Sequence, residues 1–213
     1  MTNDDEQADV LLATQMEELR HRLRNHLQNM VSLMSLQIRR ARNAETIAAL
    51  EDLRARFATL TSIYIDLDDS SDRPMELDKF VPDLVRRIGE LYDPAGAHSA
   101  VCRVAAVTLP GKRAAILGQI VVELVMNVYR HALEGRNGGK ITIDLALVDQ
   151  GDAILVIADD GPGLREPDKT RKHFGFTIVG GLAKGLGGSF DHESRDGLIT
   201  RVLFPVGDSP DFG

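Results

Sequence analysis

The sequence predicts an α+β protein in which an N-terminal antiparallel helical hairpin precedes an α/β domain. Three observations predict it. The stretch from Met1 to Arg73 contains no Pro or Gly and carries apolar residues at helical spacing. A polar, turn-rich segment, Asp68 to Pro74, interrupts that pattern and marks a boundary. Beyond it, strand-like runs and helical runs are mixed, with strand pairs following one another too often for a doubly wound parallel sheet. These place a hairpin domain at 1–70 and an α/β domain at 75–208.

In the hairpin, Leu12, Met16, Leu19, Leu23, His26, Met30 and Leu33 repeat at spacings of four and three, which makes a coiled-coil-like seam. Thr46, Leu50, Leu53, Phe57, Leu60, Tyr64 and Leu67 make a second seam of the same period, with Asn43 placed to cap its helix. The short connection makes the two helices antiparallel neighbours. Two helices bury little by themselves, so a second copy completing a four-helix bundle is expected, and with it a homodimer.

In the second domain, 75–91 reads as an amphipathic helix, 99–107 as a strand and 113–133 as a long helix. Residues 140–148 and 153–159 read as strands, the second the more buried. A loop follows, then a helix over 176–186 and a closing hairpin of 189–192 with 198–206.

Composition narrows the function. The chain has 213 residues, 25 of them basic and 32 acidic, for a net charge of −7. An acidic chain lacks the positive field that non-specific nucleic-acid binding requires. One cysteine, Cys102, excludes an internal disulfide and any multi-cysteine metal site, and a reducing compartment is the simplest setting. The first residues have neither a basic nor an apolar signal region. The longest apolar stretch, 114–128, is interrupted by Gln119, Glu123 and Asn127, so no membrane insertion is expected and the protein is expected in the cytoplasm.

Three constellations carry chemistry. On the long helix, Gln119, Glu123, Asn127 and then Arg130 with His131 draw a polar stripe through apolar neighbours. Such a stripe either faces water or floors a polar ligand, with Asn127 offering a carbonyl oxygen to a hard cation. Asp159-Asp160-Gly161-Pro162-Gly163 follows a buried strand. It is either an ordinary turn or a carboxylate that accepts a hydrogen bond from an exocyclic amine, with Gly161 and Gly163 permitting close approach of a flat ligand. Gly175 opens a helix whose amides suit a phosphate, after Arg171, Lys172 and His173, whereas Gly187 and Gly188 suit a helix C-cap. There is no Gly-Lys-Ser/Thr loop and no strand–GxGxxG–helix order.

Taken in order, E-x-x-x-N on a helix, D-x-G-x-G after a strand and a glycine entering a helix resemble the ATP-binding domain shared by sensor histidine kinases, gyrase and Hsp90. The string HRLRNHLQNMVSLMSLQ (21–37) is similar to the phosphoacceptor box of the histidine kinase subfamily whose motif begins HRVKNNLQ. VVELVMNVYRHAL (121–133) and GFTIVGGLAKGLGG (175–188) extend the likeness, which runs from about Glu18 to Pro205. The resemblance implies an α/β sandwich of that ATPase type. It implies ATP and Mg²⁺ as cofactors, Asn127 as the metal ligand and Asp159 as the reader of the adenine amine. Glu123, Arg130, His131, Gly161, Gly163, Lys172 and Gly175 complete the nucleotide site, with a short lid over 164–174.

His21 and His26 compete for the acceptor role. His26 falls on the seam and His21 on the outward face, where an imidazole can reach a γ-phosphate, and His21 also aligns with the family histidine. Glu17 and Glu18 stand one turn before it, and Glu18 is taken as the group that orients the imidazole or accepts its proton. Asn25, one turn after, can hold a water or contact a partner. The resemblance further implies a response-regulator receiver domain as phosphoryl recipient. With the acceptor box near residue 18, no sensor domain of its own is expected; either an upstream sensor or activating protein supplies the input, or the chain is one module of a larger system. The competing assignment is a histidine phosphotransfer adapter with a non-catalytic ATP-like domain. It predicts loss of Asn127, Asp159 or the glycines, and all are present.

Overall fold

The computed structural model describes residues 25, 28–47, 49–51, 53–54, 57–58, 61, 73–148, 151–164 and 174–207. The chain divides into two compact units, Met1–Asp66 and Leu67–Gly213.

In the first unit, residues 28–40 form helix α1, and helix α2 starts at residue 44, with described helical residues as far as 61. Asn43 caps α2 as its position predicts. Its Oδ1 accepts hydrogen bonds from the amides of Glu45 at 2.8 Å and Thr46 at 3.2 Å, which satisfies two of the orphan donors of a first turn. Met30, Leu33, Leu36 and Leu53 are about half exposed or more. Three of them, Met30, Leu33 and Leu53, are seam positions. The seam positions Leu12, Met16, Leu19, Leu23 and His26 lie outside the described residues, as do Leu60, Tyr64 and Leu67.

The second unit is a sheet with helices packed on one face. Its strands are β1 (Met75–Glu76), β2 (Ser99–Val104), β3 (Thr108–Leu109), β4 (Lys140–Leu147), β5 (Asp152–Asp159), β6 (Ser189–Arg195) and β7 (Gly197–Pro205). Its helices are α3 (Leu77–Tyr92), α4 (Gly111–Asn127) and α5 (Phe174–Gly185). The main sheet has the order β2-β4-β5-β7-β6; β2 and β4 are parallel and the other pairs antiparallel. The period of two places Ile141, Ile143 and Leu145 of β4, Ala153, Leu155 and Ile157 of β5, and Val202 and Phe204 of β7 in the core. α3 covers its part with Leu77, Val81, Leu84, Val85 and Ile88, a stripe at helical spacing. α4 is buried on most of its surface, which is why its sequence is apolar nearly all round.

Several boundaries differ from the sequence expectation, among them β6, which runs on to Arg195 where 192 was expected. Residues 75 and 76 leave the expected helix and pair with Thr108 and Leu109 as a small second sheet, so the expected strand 99–107 ends at Val104. A two-residue ladder of this kind has no periodicity to read. The expected helix 113–133 is α-helical only from Gly111 to Asn127, and its end, Val128–Ala132, is a π-helical turn.

The end of α5 is a Schellman motif. Gly187, at φ +75°, donates to the Lys184 carbonyl and Gly188 to the Ala183 carbonyl, both at 2.9 Å. Gly188 is packed so closely under β7 that a Cβ would collide with the Leu203 carbonyl oxygen. Arg113, at the start of α4, donates to the carbonyls of Leu186, Pro205 and Gly207 and so ties α4 to this corner. No described helix is long and apolar enough to cross a membrane. Gly188→Ala is expected to destabilise the second unit by about 1–3 kcal/mol, as overpacking does. A urea midpoint unchanged from the parent would contradict this packing.

Candidate functional site

A cavity of about 580 Å³ opens where the end of α4, the end of β5 and the start of α5 meet. The π-helical turn shapes it. In a regular helix Glu123, Asn127 and Arg130 or His131 would share one face. With the turn widened, Asn127, Val128, Arg130, His131 and Ala132 all line the cavity together with Glu123. Both candidates at 130 and 131 therefore face it, although they are adjacent in sequence. Gln119, the first member of the polar stripe, is not among the lining residues.

The opposite wall is made by Asp159, Pro162, Gly163, Leu164 and Leu198. Asp159 continues the core-facing alternation of β5, so its carboxylate is carried inward and is only 9% exposed. Oδ1 accepts hydrogen bonds from the Gly161 amide at 2.8 Å and the Leu198 amide at 3.4 Å. Both bonds among the described residues fall on Oδ1, so the second oxygen is the one left for a ligand. Burial raises the carboxyl above the ordinary value, and the two amides only partly offset it. Thr200, a buried polar residue that sequence reading missed, spends its hydroxyl on the Ile157 carbonyl at 2.9 Å and steadies the neighbouring β5 residue.

The glycines serve close approach. A Cβ on Gly161 would lie 2.5 Å from the Ala132 Cβ and 2.8 Å from Asp159 Oδ1, so the loop after β5 presses directly on the π-helical turn. Gly161 is not among the cavity-lining residues; it acts by packing and by its amide. Gly163 lines the cavity at φ +66°, a conformation that favours glycine, and a Cβ there would lie 2.5 Å from Ser194 Oγ. A Cβ on Gly175 would lie 2.9 Å from both Asn127 Nδ2 and Glu123 Oε1, so the first turn of α5 abuts the polar stripe of α4. Arg136, which the sequence reading did not single out, clasps the two walls. Its Nη1 donates to the Ala132 carbonyl at 3.2 Å and to the Asp160 carbonyl at 3.0 Å. Asp160 Oδ1 in turn accepts the Lys140 amide at 3.1 Å.

The structure thus brings Glu123, Asn127, Arg130, His131, Asp159, Gly163 and Gly175 around one cavity, with Gly161 behind it. Asn25 lies in the other unit, exposed on a helix. His21, Glu18 and Lys172 lie outside the described residues, as do 165–173 of the expected lid. Among the described residues, no group of three or more His, Cys, Asp or Glu side chains could hold a metal. Asn127 and Glu123, whose side chains meet under Gly175, carry an amide and a carboxylate oxygen of the kind taken by a hard cation that draws its other ligands from phosphate and water.

A helix-on-sheet sandwich with a carboxylate at a strand end and an asparagine stripe on the facing helix defines a class, the histidine kinase and gyrase type of ATPase. The comparisons agree. Residues 112–208 match the family described as histidine kinase-, DNA gyrase B-, and HSP90-like ATPase, and residues 18–92 match a family described as histidine kinase. The chain has a sensor histidine kinase core. It is 25% identical over 203 residues to blue-light-activated histidine kinase 2 of Erythrobacter litoralis, covering 92% of this chain and 58% of that protein. It is 30% identical over 152 residues to the sensor histidine kinase PdtaS of Mycolicibacterium smegmatis, covering 69% of this chain and 30% of that one. The histidine kinase domain of the Erythrobacter litoralis EL346 blue-light-activated kinase has the same fold. Its TM-score is 0.61 at 19% identity, over 85% of this chain and 96% of that one. The chain therefore spans between about a third and three fifths of the length of these two curated relatives.

Asp159→Asn separates stability from recognition. The raised carboxyl costs the folded state stability as pH climbs past the unfolded value, because the unfolded chain ionises first. The stability difference between variant and parent is expected to shift in the variant's favour between pH 4 and pH 7, measured by urea titration. At the upper end of that range the variant should bind adenine nucleotide about 10- to 100-fold more weakly, since an amide nitrogen cannot accept from an amine. A variant that keeps its affinity would remove Asp159 from recognition.

Proposed function

We propose that the chain is an ATP-dependent protein histidine kinase of a two-component system, autophosphorylating on His21 and passing the phosphoryl group to an aspartate of a response-regulator receiver domain. The observation that carries this is the convergence of Asn127, Glu123, Asp159 and the Gly175 turn on one cavity.

In this reading Asp159 accepts the adenine amine with its second oxygen, held in place by Gly161 and Leu198. Gly163 and Leu164 bound the flat base. Arg130, His131, Lys172 and the amides at the start of α5 receive the phosphates. Asn127, with Glu123 beside it, would hold Mg²⁺, which supplies charge neutralisation at the phosphates when bound. His21 attacks the γ-phosphorus through a ring nitrogen. The bond from that phosphorus to the β–γ bridging oxygen breaks, and ADP leaves. The imidazole proton passes to Glu18, or to Glu17 beside it. Asn25, one turn on in the sequence, holds a water or meets the receiver domain. The half-exposed Met30, Leu33 and Leu53 support a homodimer whose second hairpin covers them. The protein works in the cytoplasm and takes its input from an upstream sensor or activating protein.

Incubation with Mg²⁺ and γ-labelled ATP tests the proposal. Label that is acid-labile and alkali-stable is expected on the parent and on a Cys102→Ser control, and is expected to fall to background in His21→Ala and in Asn127→Ala. Tight ATP binding with no label would point to a kinase awaiting its activating partner. Absence of nucleotide binding, with label accepted from a phosphorylated receiver, would move the chain to the phosphotransfer adapters.

A further inference from the structure

Arg130 is exposed at the cavity mouth, and no carboxylate among the described residues pairs with it. Its partner is instead a neutral aromatic side chain from another helix. Nη2 donates to the Tyr92 hydroxyl at 3.2 Å, and the guanidinium carbon lies 5.8 Å from the centre of the Tyr92 ring. Tyr92 is the last residue of α3 and takes no part in lining the cavity.

Tyr92 is itself well held. Its ring stacks on that of Tyr129 at 5.9 Å and 14°. Tyr129 is buried within the π-helical turn, one residue before Arg130. The His98 ring stands edge-on to Tyr129 from the other side, at 6.4 Å and 65°. The loop bearing His98 is pinned by Asp93, whose carboxylate accepts the amides of Ala97 at 2.9 Å and His98 at 2.8 Å. The Tyr129 hydroxyl closes on α3 so tightly that a Cβ at Gly89 would lie 3.1 Å from it.

A free arginine at a cavity mouth loses rotamer entropy when it clamps an anion. A carboxylate partner would fix the side chain but also spend its charge. A tyrosine fixes it through one hydrogen bond and the ring face, and leaves the full positive charge for the ligand. We infer that Tyr92 is a positioning residue for the phosphate end of the site, acting through Arg130 to hold that guanidinium in a phosphate-ready orientation. This rests on the nucleotide reading of the cavity.

The test is a double-mutant cycle on the full chain, titrating ADP and adenosine by calorimetry. The proteins are the parent, Tyr92→Phe, Tyr92→Leu, Arg130→Ala and the double variant Tyr92→Leu/Arg130→Ala. Tyr92→Leu is expected to weaken ADP by about three- to tenfold and to leave adenosine unchanged. Tyr92→Phe, which keeps the ring and loses the hydroxyl, should fall between it and the parent. In the Arg130→Ala background the Tyr92→Leu effect should vanish. Unchanged adenosine affinity in each variant also shows that the site is folded. An equal loss for adenosine, an unchanged ADP affinity, or full additivity with Arg130→Ala would each overturn the inference while leaving the nucleotide site standing. A parent chain that binds neither ADP nor adenosine would overturn the nucleotide reading and this inference with it.

Discussion

The second unit depends on one costly arrangement, a carboxylate buried at the end of a core strand. Asp159 is the next core-facing position after Ala153, Leu155 and Ile157, so the alternation that builds the hydrophobic face also delivers a charge into it. The fold meets that cost with backbone. Two amides, from Gly161 and Leu198, converge on one carboxylate oxygen. Both come from segments that must lie close to β5. The Gly197 turn sits so near the Asp159 carbonyl that only a residue without a Cβ fits, and a Cβ on Gly161 would also clash, 2.5 Å from the Ala132 Cβ. The glycines around the cavity are thus the steric condition for keeping Asp159 both buried and hydrogen-bonded.

The facing helix solves the complementary problem. α4 is buried nearly all round, and the polar side chains near its end, Glu123 and Asn127, reach the cavity between that end and α5. The π-helical turn then shifts the register of the last turn and brings two consecutive basic residues, Arg130 and His131, to the same opening. The turn is held from behind by Tyr129, packed between Tyr92 and His98, and from the side by Arg136, bonded to Ala132 and Asp160. Rigid packing behind a site and charge in front of it is the general condition for electrostatic preorganisation. Here the packing is aromatic and the charge is left unpaired among the described residues.

The hairpin and the ATPase-type domain are distinct compact units, yet the histidine kinase match at 18–92 runs past the first unit and ends at Tyr92. Helix α3, which follows the boundary segment, belongs by packing to the second unit and by family match to the first. Its last residue is the one that holds Arg130. The segment that leads out of the hairpin unit is thus covalently continuous with an element that touches the nucleotide-site machinery.

Much of this was legible in the amino-acid order because it rests on short-range physics. Period-two alternation located β4, a more continuous apolar run located β5, and a closing hairpin pattern located β7. Helical spacing located α3, Asn43 announced the cap of α2, and Gly187 with Gly188 announced the end of α5. The order Glu123, Asn127, Asp159, Gly163, Gly175 marked the cavity walls only as a set, through its resemblance to the ATP-binding domain of histidine kinases; taken singly, each element also suits an exposed face or an ordinary turn. Long-range contacts carried no local signal. The pairing of Met75 and Glu76 with Thr108 and Leu109 joins segments too short to show a period. The π-helical turn arises from packing against α3 and the loop after β5, and Val128–Ala132 reads as ordinary helix in isolation. Arg136, Thr200 and Tyr92 gained their roles only when the chain brought them beside partners between 24 and 43 positions away, and no spacing rule spans such distances.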